Sequence, residues 1–197
     1  MSELTWRKAA GHLKTITRHH HLVCGYCLRA GLIRQGLLHD LSKLSPTEFL
    51  VGARYYQGTR SPNNAEREET GVSMAWLHHK GRNRHHFEYW IDYTAEKSAH
   101  IIEGARMPRR YVAEMIFDRV SASRVYSGEN YTDKFPLMYF LRSRDKLWII
   151  HEDTKKQMEF LLRMWARKGE DYTIRYIRNV FLKGEGPGVS ANKNRLL

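Results

Sequence analysis

The run His39-Asp40-Leu41-Ser42-Lys43 sets an imidazole, a carboxylate and an ammonium group within five residues. On a helix His39 and Lys43 stand at i, i+4 and Asp40 and Lys43 at i, i+3, so the spacing predicts all three at the border of one cavity. Adjacent His and Asp offer a divalent cation one ring nitrogen and one carboxylate oxygen, a mixed donor set that suits Mn, Fe, Ni or Zn. Two donors make a partial site, and the rest must come from elsewhere in the chain.

Three places offer them. The first is His19-His20-His21. Only one of three consecutive helical residues points squarely inward, and His19 shares its stripe with His12, Ile16 and Val23 at i, i+4, i+7 and i+11 spacing. His19 is therefore the expected donor, with His20 and His21 on a solvated face. The second is His78-His79-Lys80-Gly81-Arg82-Asn83-Arg84-His85-His86, four histidines in nine residues. The third is Asp118, whose helical neighbours Tyr111, Met115, Ala122 and Val125 are mostly apolar. A carboxylate on that face is costly unless it meets a metal or a cation. Arg119 falls near the same arc, either as a buried partner of Asp118 or as a phosphate clamp. His12, His100 and His151 are expected to be hydrogen-bonded core residues and are set aside.

The elements that must position these groups read as helices. Apolar residues recur at helical spacing, and nothing alternates with period two for long enough to make a sheet. The expected architecture is all-α, one helical-bundle domain over residues 1–183 with a disordered tail from 184 to 197. The first helix ends at Gly31 and the next spans Leu32 to Lys43. Ser45-Pro46-Thr47-Glu48 predicts a helix start, with Ser at the N-cap, Pro at N1 and Glu at N3 closing a capping box. Ser61-Pro62 lies in a loop or caps a short helix to Gly71, and Met74 to His79 is helical until Gly81-Arg82-Asn83. His85 to Asp92 is a helix or an ordered loop. Pro108 at N1 opens a helix to about Tyr126, and Gly128 to Pro136 is a loop. Arg144 to Lys168 is the longest amphipathic stretch, and Asp171 to Lys183 the last helix.

The chain has 197 residues, 33 Lys and Arg against 21 Asp and Glu, and a net charge of +12 with histidine neutral. The excess is spread along the chain without a basic block, which favours a small anionic substrate over nucleic acid. No run approaches the ~20 apolar residues of a membrane span, and the first residues lack a signal-like apolar stretch, so a cytoplasmic protein without a membrane partner is expected. Cys24 and Cys27 are the only cysteines. They sit inside a helical stretch with no strand before it, so they are expected to be ordinary thiols, and a disulfide framework is excluded.

A His, then His-Asp with Lys three residues on, then a His cluster and an interior Asp, all on helices, resembles the HD-domain metallohydrolase superfamily. His39-Asp40-Leu41-Ser42-Lys43 is similar to the His-Asp-x-x-Lys of the branch that cleaves cyclic dinucleotides, and His78-His79 to the pair that follows it there. Lys80 and Gly81-Arg82-Asn83 stand where that branch has an acidic residue and Gly-Tyr-Pro. More closely, GLLHDLSKLSPTEF and AWLHHKGRNRHHFEYW resemble a bacterial and phage family of about this length, over most of residues 10 to 150.

The HD resemblance implies a first metal site of His19, His39, Asp40 and Asp118, and a second of His79 and His86, with His78 or His85 as substitutes. Asp40 would bridge one or two divalent ions that lower the pKa of a shared water for in-line attack at phosphorus. Lys43 would neutralise phosphoryl oxygens or protonate the leaving group. Arg82 and Arg84, in a glycine-hinged loop, would hold the remaining phosphate charge. The implied activity is a phosphomonoesterase or phosphodiesterase acting on a nucleotide-like substrate. Two other readings keep the same ligands: a di-iron oxygenase, and a metal-stabilised module binding nucleic acid or protein through its basic charge and Phe87, Tyr89 and Trp90.

Overall fold

Thr5 starts the first helix: its hydroxyl accepts the Lys8 backbone N–H at 3.3 Å. In the computed structural model, which describes residues 2–94 and 100–184, helix α1 then runs Trp6–Ala30 and ends where Gly31 turns left-handed at φ 81°. Its inward stripe is the expected one, with His12, Ile16, His19 and Val23 buried. The tail expected beyond Gly184 lies outside the described residues. Further helices are α2 (Ile33–Leu38), α3 (Pro46–Arg54), α4 (Pro62–Thr70), α5 (Met74–Lys80), α6 (Arg109–Ser127), α7 (Phe135–Ser143) and α8 (Glu152–Asn179). The fold is all-α, one domain in which α1 packs most extensively on α6 and α8 closes the other side of the core.

The core is the common inner surface of these three helices. Tyr26 of α1, Phe117 of α6 and Trp165 of α8 form an aromatic cluster, with Tyr26 5.8 Å from Phe117 and edge-on to Trp165 at 5.6 Å. Cys27 is buried among these groups, Cys24 is half-buried, and both are free thiols. Burial pushes the Cys27 thiol up, so it is an inert apolar group here.

Several elements differ from the sequence reading. Helix α2 stops at Leu38, so His39 and Asp40 do not lie on a helix; Leu41–Leu44 makes one 3-10 turn before α3. Pro108 is the N-cap of α6, one place earlier than N1. Phe135 and Pro136, read as the end of a loop, begin α7, whose remaining residues the sequence reading left unassigned. The start of the long stretch from Arg144 is a 3-10 turn over Arg144–Lys146 and a break before α8, because Pro136 starts a helix in its first turn and His151 starts the next. The His151 Nδ1 accepts the Asp153 backbone N–H at 3.1 Å, a capping role in place of the expected core role. His100, also expected in the core, is exposed and lies 4.8 Å from the Trp148 ring. Gly169, at φ 77° and ψ −178°, breaks α8 where the sequence separates two helices.

A two-stranded ribbon, β1 (Ile91–Tyr93) against β2 (Ile102–Gly104), replaces the expected absence of sheet. Three residues per strand are too few to show a period of two. Gly104 is required in it, since a Cβ there would overlap the Ile149 carbonyl oxygen. No helix of the described residues is long and apolar enough to cross a membrane.

Candidate metal centre

The break after α2 aims the His-Asp pair. His39 is extended at ψ 124°, and Asp40 is left-handed at φ 55°, the only non-glycine with positive φ among the described residues. Such a conformation costs about 1–2 kcal/mol and is tolerated best by Asn and Asp. It turns two successive side chains toward one point, which a helix does not allow. His20 holds this turn in place: its Nδ1–H donates to the His39 carbonyl at 2.8 Å. His20 is thus half-buried and occupied rather than part of a solvated face, and His21 is the exposed member of the triplet.

Four side chains from three elements converge there. His19 Nε2 lies 3.0 Å from Asp118 Oδ1, 3.3 Å from His39 Nε2 and 3.7 Å from Asp40 Oδ2. His39 Nε2 lies 3.3 Å from Asp40 Oδ2 and 3.6 Å from Asp118 Oδ1. Metal–ligand bonds of about 2.1 Å put neighbouring donor atoms about 3.0 Å apart in an octahedron and about 3.4 Å apart in a tetrahedron. Three of the five spacings fall in that range, and the other two, at 3.6 and 3.7 Å, lie just above it.

The second face of Asp40 meets a second group. His79 Nε2 is 3.2 Å and His85 Nε2 3.3 Å from Asp40 Oδ1, and His86 Nε2 is 2.9 Å from His79 Nε2. Asp40, His79, His85 and His86 form one candidate ligand set, His19, His39, Asp40 and Asp118 another, and His39, His85 and Glu114 a smaller group that joins the two. Asp40 thus presents one oxygen to each of the two sets that contain it. His85 joins His86 instead of substituting for it, because Asn83 to His86 is a turn in which successive residues converge. His78 takes no part, and its Nδ1–H donates to Glu48 at 2.6 Å.

Two carboxylates outside the two Asp40 sets orient these rings, and sequence reasoning missed both roles. Glu114 Oε1 faces His39 Nδ1 at 3.0 Å and His85 Nδ1 at 3.2 Å, so one carboxylate ties the two sets together. Glu48 does not close the expected capping box. Ser45 does accept the Glu48 backbone N–H at 3.4 Å, but the Glu48 carboxylate turns to His79 Nδ1 at 2.7 Å and to His78. At His39, His79 and His85 these bonds take up Nδ1 and leave Nε2 facing Asp40, an arrangement typical of metal-ligating imidazoles. Replacing Glu114 with Gln is expected to weaken cation binding by about 10–100-fold at both sets, read by competition with a metallochromic chelator.

The electrostatics fit a cation. Burial pushes the Asp40 carboxyl up, but His39, Lys43 and His79 outweigh it and hold Asp40 well below the usual carboxylate range. Asp118 is likewise held well below that range, burial being overcome by His19 and His39. Neither oxygen of Asp40, nor His85 Nε2, has a well-formed hydrogen bond among the described residues. Lys43 Nζ stands 2.6 Å from Asp40 Oδ2, and despite burial Asp40 and Asp118 raise its pKa. Burial depresses His19 and His86 toward the neutral imidazole that a metal needs, whereas at His39 and His79 Asp40 overcomes burial and raises the pKa, so a cation binding there must displace a proton.

The centre borders a cleft of about 830 Å³, within the usual range for ligand pockets. His19, Lys43, His79, His86, Asp118 and Arg119 all line it. Arg119 makes no ion pair with Asp118 among the described residues, and its Nε is buried without a hydrogen-bond partner. Arg82 and Arg84 do not line the cleft. Both are exposed: Arg82 donates to the His78 carbonyl at 3.3 Å, and Arg84 to the Tyr111 hydroxyl at 3.4 Å. Arg60, Arg67 and Arg142 line it instead, from segments that carry no motif.

The sequence profile of a family of unknown function, DUF5662, matches residues 8–164. The chain belongs to this family. The matched DUF5662 region contains every residue of both ligand sets together with Glu48 and Glu114. No curated protein and no solved structure matches the chain.

Proposed function

We propose that the protein is a metal-dependent phosphohydrolase of the HD type, acting as a phosphomonoesterase or phosphodiesterase on a small anionic substrate. The observation that carries this reading is the pair of donor sets sharing Asp40, one carboxylate oxygen to each, bordering a cleft. His19, His39, Asp40 and Asp118 would hold one divalent cation, and Asp40, His79, His85 and His86 the other. Bound there, such cations supply Lewis-acid polarisation of a phosphoryl oxygen and acidify a water.

The remaining steps belong to the chain's own side chains. Lys43, kept protonated by Asp40 and Asp118, suits charge neutralisation of a phosphoryl oxygen better than proton donation, which favours a pKa near the working pH. Arg119, on the cleft wall next to Asp118 in sequence, is placed to grip a second phosphoryl oxygen. The orienting bonds from Glu48 and Glu114 keep the imidazoles aimed without reorganisation during the reaction.

The three imidazoles of the second set also suit iron, which supports the di-iron oxygenase as a second reading. A nucleic-acid module is less favoured, because Trp90 is engaged in packing: its Nε1–H donates to the Arg84 carbonyl at 2.7 Å and its ring lies 5.7 Å from Tyr111. A cytoplasmic setting fits the two free thiols.

The test is turnover of p-nitrophenyl phosphate, bis(p-nitrophenyl) phosphate and a nucleotide panel by protein loaded in turn with Mn, Zn, Ni and Fe. Turnover that needs the metal and is abolished by chelator is the expected result. No turnover of any phosphoester with any metal contradicts the hydrolase reading, and visible absorbance with oxygen consumption in the iron form would favour the oxygenase.

A further inference from the structure

His12 lies on the inward stripe of α1, seven residues before His19, and lines the same cleft. At 1.5 Å per residue it stands about 10 Å from the metal centre along the helix. It is 6% exposed, and its Nδ1 is buried without a hydrogen-bond partner among the described residues. An unsatisfied buried ring nitrogen costs about 1–3 kcal/mol, so nothing in the packing accounts for a histidine here. The fold nevertheless makes room for it. A Cβ on Gly52 of α3 would overlap the imidazole, and Phe49 and Tyr56 flank the ring at 5.4 and 6.1 Å.

A second pair of polar groups lines the same cleft. Tyr126 lies eight residues after Asp118 on α6, about 12 Å along that helix, and lines the cleft. The Tyr56 ring lies 6.1 Å from His12, and Tyr56 is among the groups that influence Tyr126. Ser61 adds a hydroxyl within reach of the Tyr126 phenol. Burial, followed by Lys43, lowers the His12 pKa to about 4, and burial raises that of Tyr126. Both groups are therefore uncharged at neutral pH. A neutral imidazole and two hydroxyls each donate and accept, which matches a ligand whose groups do the same.

Resting on the phosphohydrolase reading, we propose that His12, Ser61 and Tyr126 form a second subsite that hydrogen-bonds the hydroxyl groups of a sugar-like or polyol alcohol esterified to the phosphate. The subsite selects the alcohol portion of the substrate, while the His/Asp centre takes the phosphoryl group. A site built to hydrogen-bond hydroxyls discriminates strongly against an alcohol that lacks them, because its own polar groups then stay unpaired.

The experiment compares His12→Leu and Tyr126→Phe with the wild type on ribose 5-phosphate and on p-nitrophenyl phosphate, whose alcohol has no aliphatic hydroxyl. Tyr126→Phe removes a single oxygen and keeps the test valid should His12→Leu fold poorly, which circular dichroism would show. The expected result is a fall of about tenfold or more in the ratio of kcat/KM for the sugar phosphate to that for the aryl phosphate, mainly through KM. Calorimetric binding of ribose 5-phosphate should weaken by a similar factor. An unchanged ratio and unchanged binding in both variants would overturn the proposal and leave His12 as a partner of a buried water only. Absence of turnover of either ester by the wild type would defeat the hydrolase reading instead, and the binding comparison would then decide the subsite by the same criterion.

Discussion

Replacing Asp40 with Asn is expected to empty both cation sets and to lower turnover by more than about a hundredfold, the upper end of what loss of an outer-sphere partner costs. Asp40 faces His19 and His39 through Oδ2 and His79 and His85 through Oδ1, so one substitution removes a negative charge from both groups. Asn is the informative replacement. Residue 40 is left-handed at φ 55°, a conformation Asn accepts, whereas Ala would add backbone strain to the loss of the ligand. The measurement is metal content beside kcat on the same preparation, with circular dichroism confirming the fold. A folded Asp40→Asn protein that keeps its cations would contradict the bridging role.

Removing the cations from the wild type should lower its thermal midpoint by roughly 10 °C. Ligand binding stabilises the native state by about 4 kcal/mol when the free ligand is 1,000 times its dissociation constant. For a chain of this size each kcal/mol moves the midpoint by about 2–4 °C. The effect is large because the ligands and the acids that orient them are buried: Asp40, Glu48, Glu114, His39, His79 and His85 all lie in the interior, and without a cation their charges rest on one another and on Lys43. Mn or Zn should restore the midpoint and Mg should do so poorly, since the sets are rich in imidazole nitrogen. Differential scanning calorimetry with chelator and then with each metal gives the comparison. A shift below about 2 °C, or one that Mg matches, would contradict a buried nitrogen-rich site.

Much of this centre was legible from residue types and spacing. The stripe through His12, Ile16, His19 and Val23 gave the inward face of α1, and the apolar neighbours of Asp118 gave its orientation on α6. What the helical rule could not give is the aim of His39 and Asp40, because their convergence depends on one left-handed residue that spacing does not announce. The same rule hides His85 beside His86, where a turn brings successive rings together. Glu114 did leave a signal: it lies four residues before Asp118 on α6, an acid among buried apolar side chains. Glu48 left a misleading one, since Ser-Pro-Thr-Glu satisfies a capping pattern whose Glu has a second use that only the packing of α3 against α5 reveals. The reach of Arg82 and Arg84 was not legible, because loop residues carry no periodicity to orient them.

Metal content of the purified, reconstituted protein, measured by elemental analysis at mildly alkaline pH because Asp40 raises the pKa of His39 and His79, is the most direct test of a two-cation centre bridged by Asp40. Two transition-metal ions per chain in the wild type, and none held tightly by Asp40→Asn, is the expected result. A wild-type chain that binds no transition metal, or the same number as the variant, would contradict it.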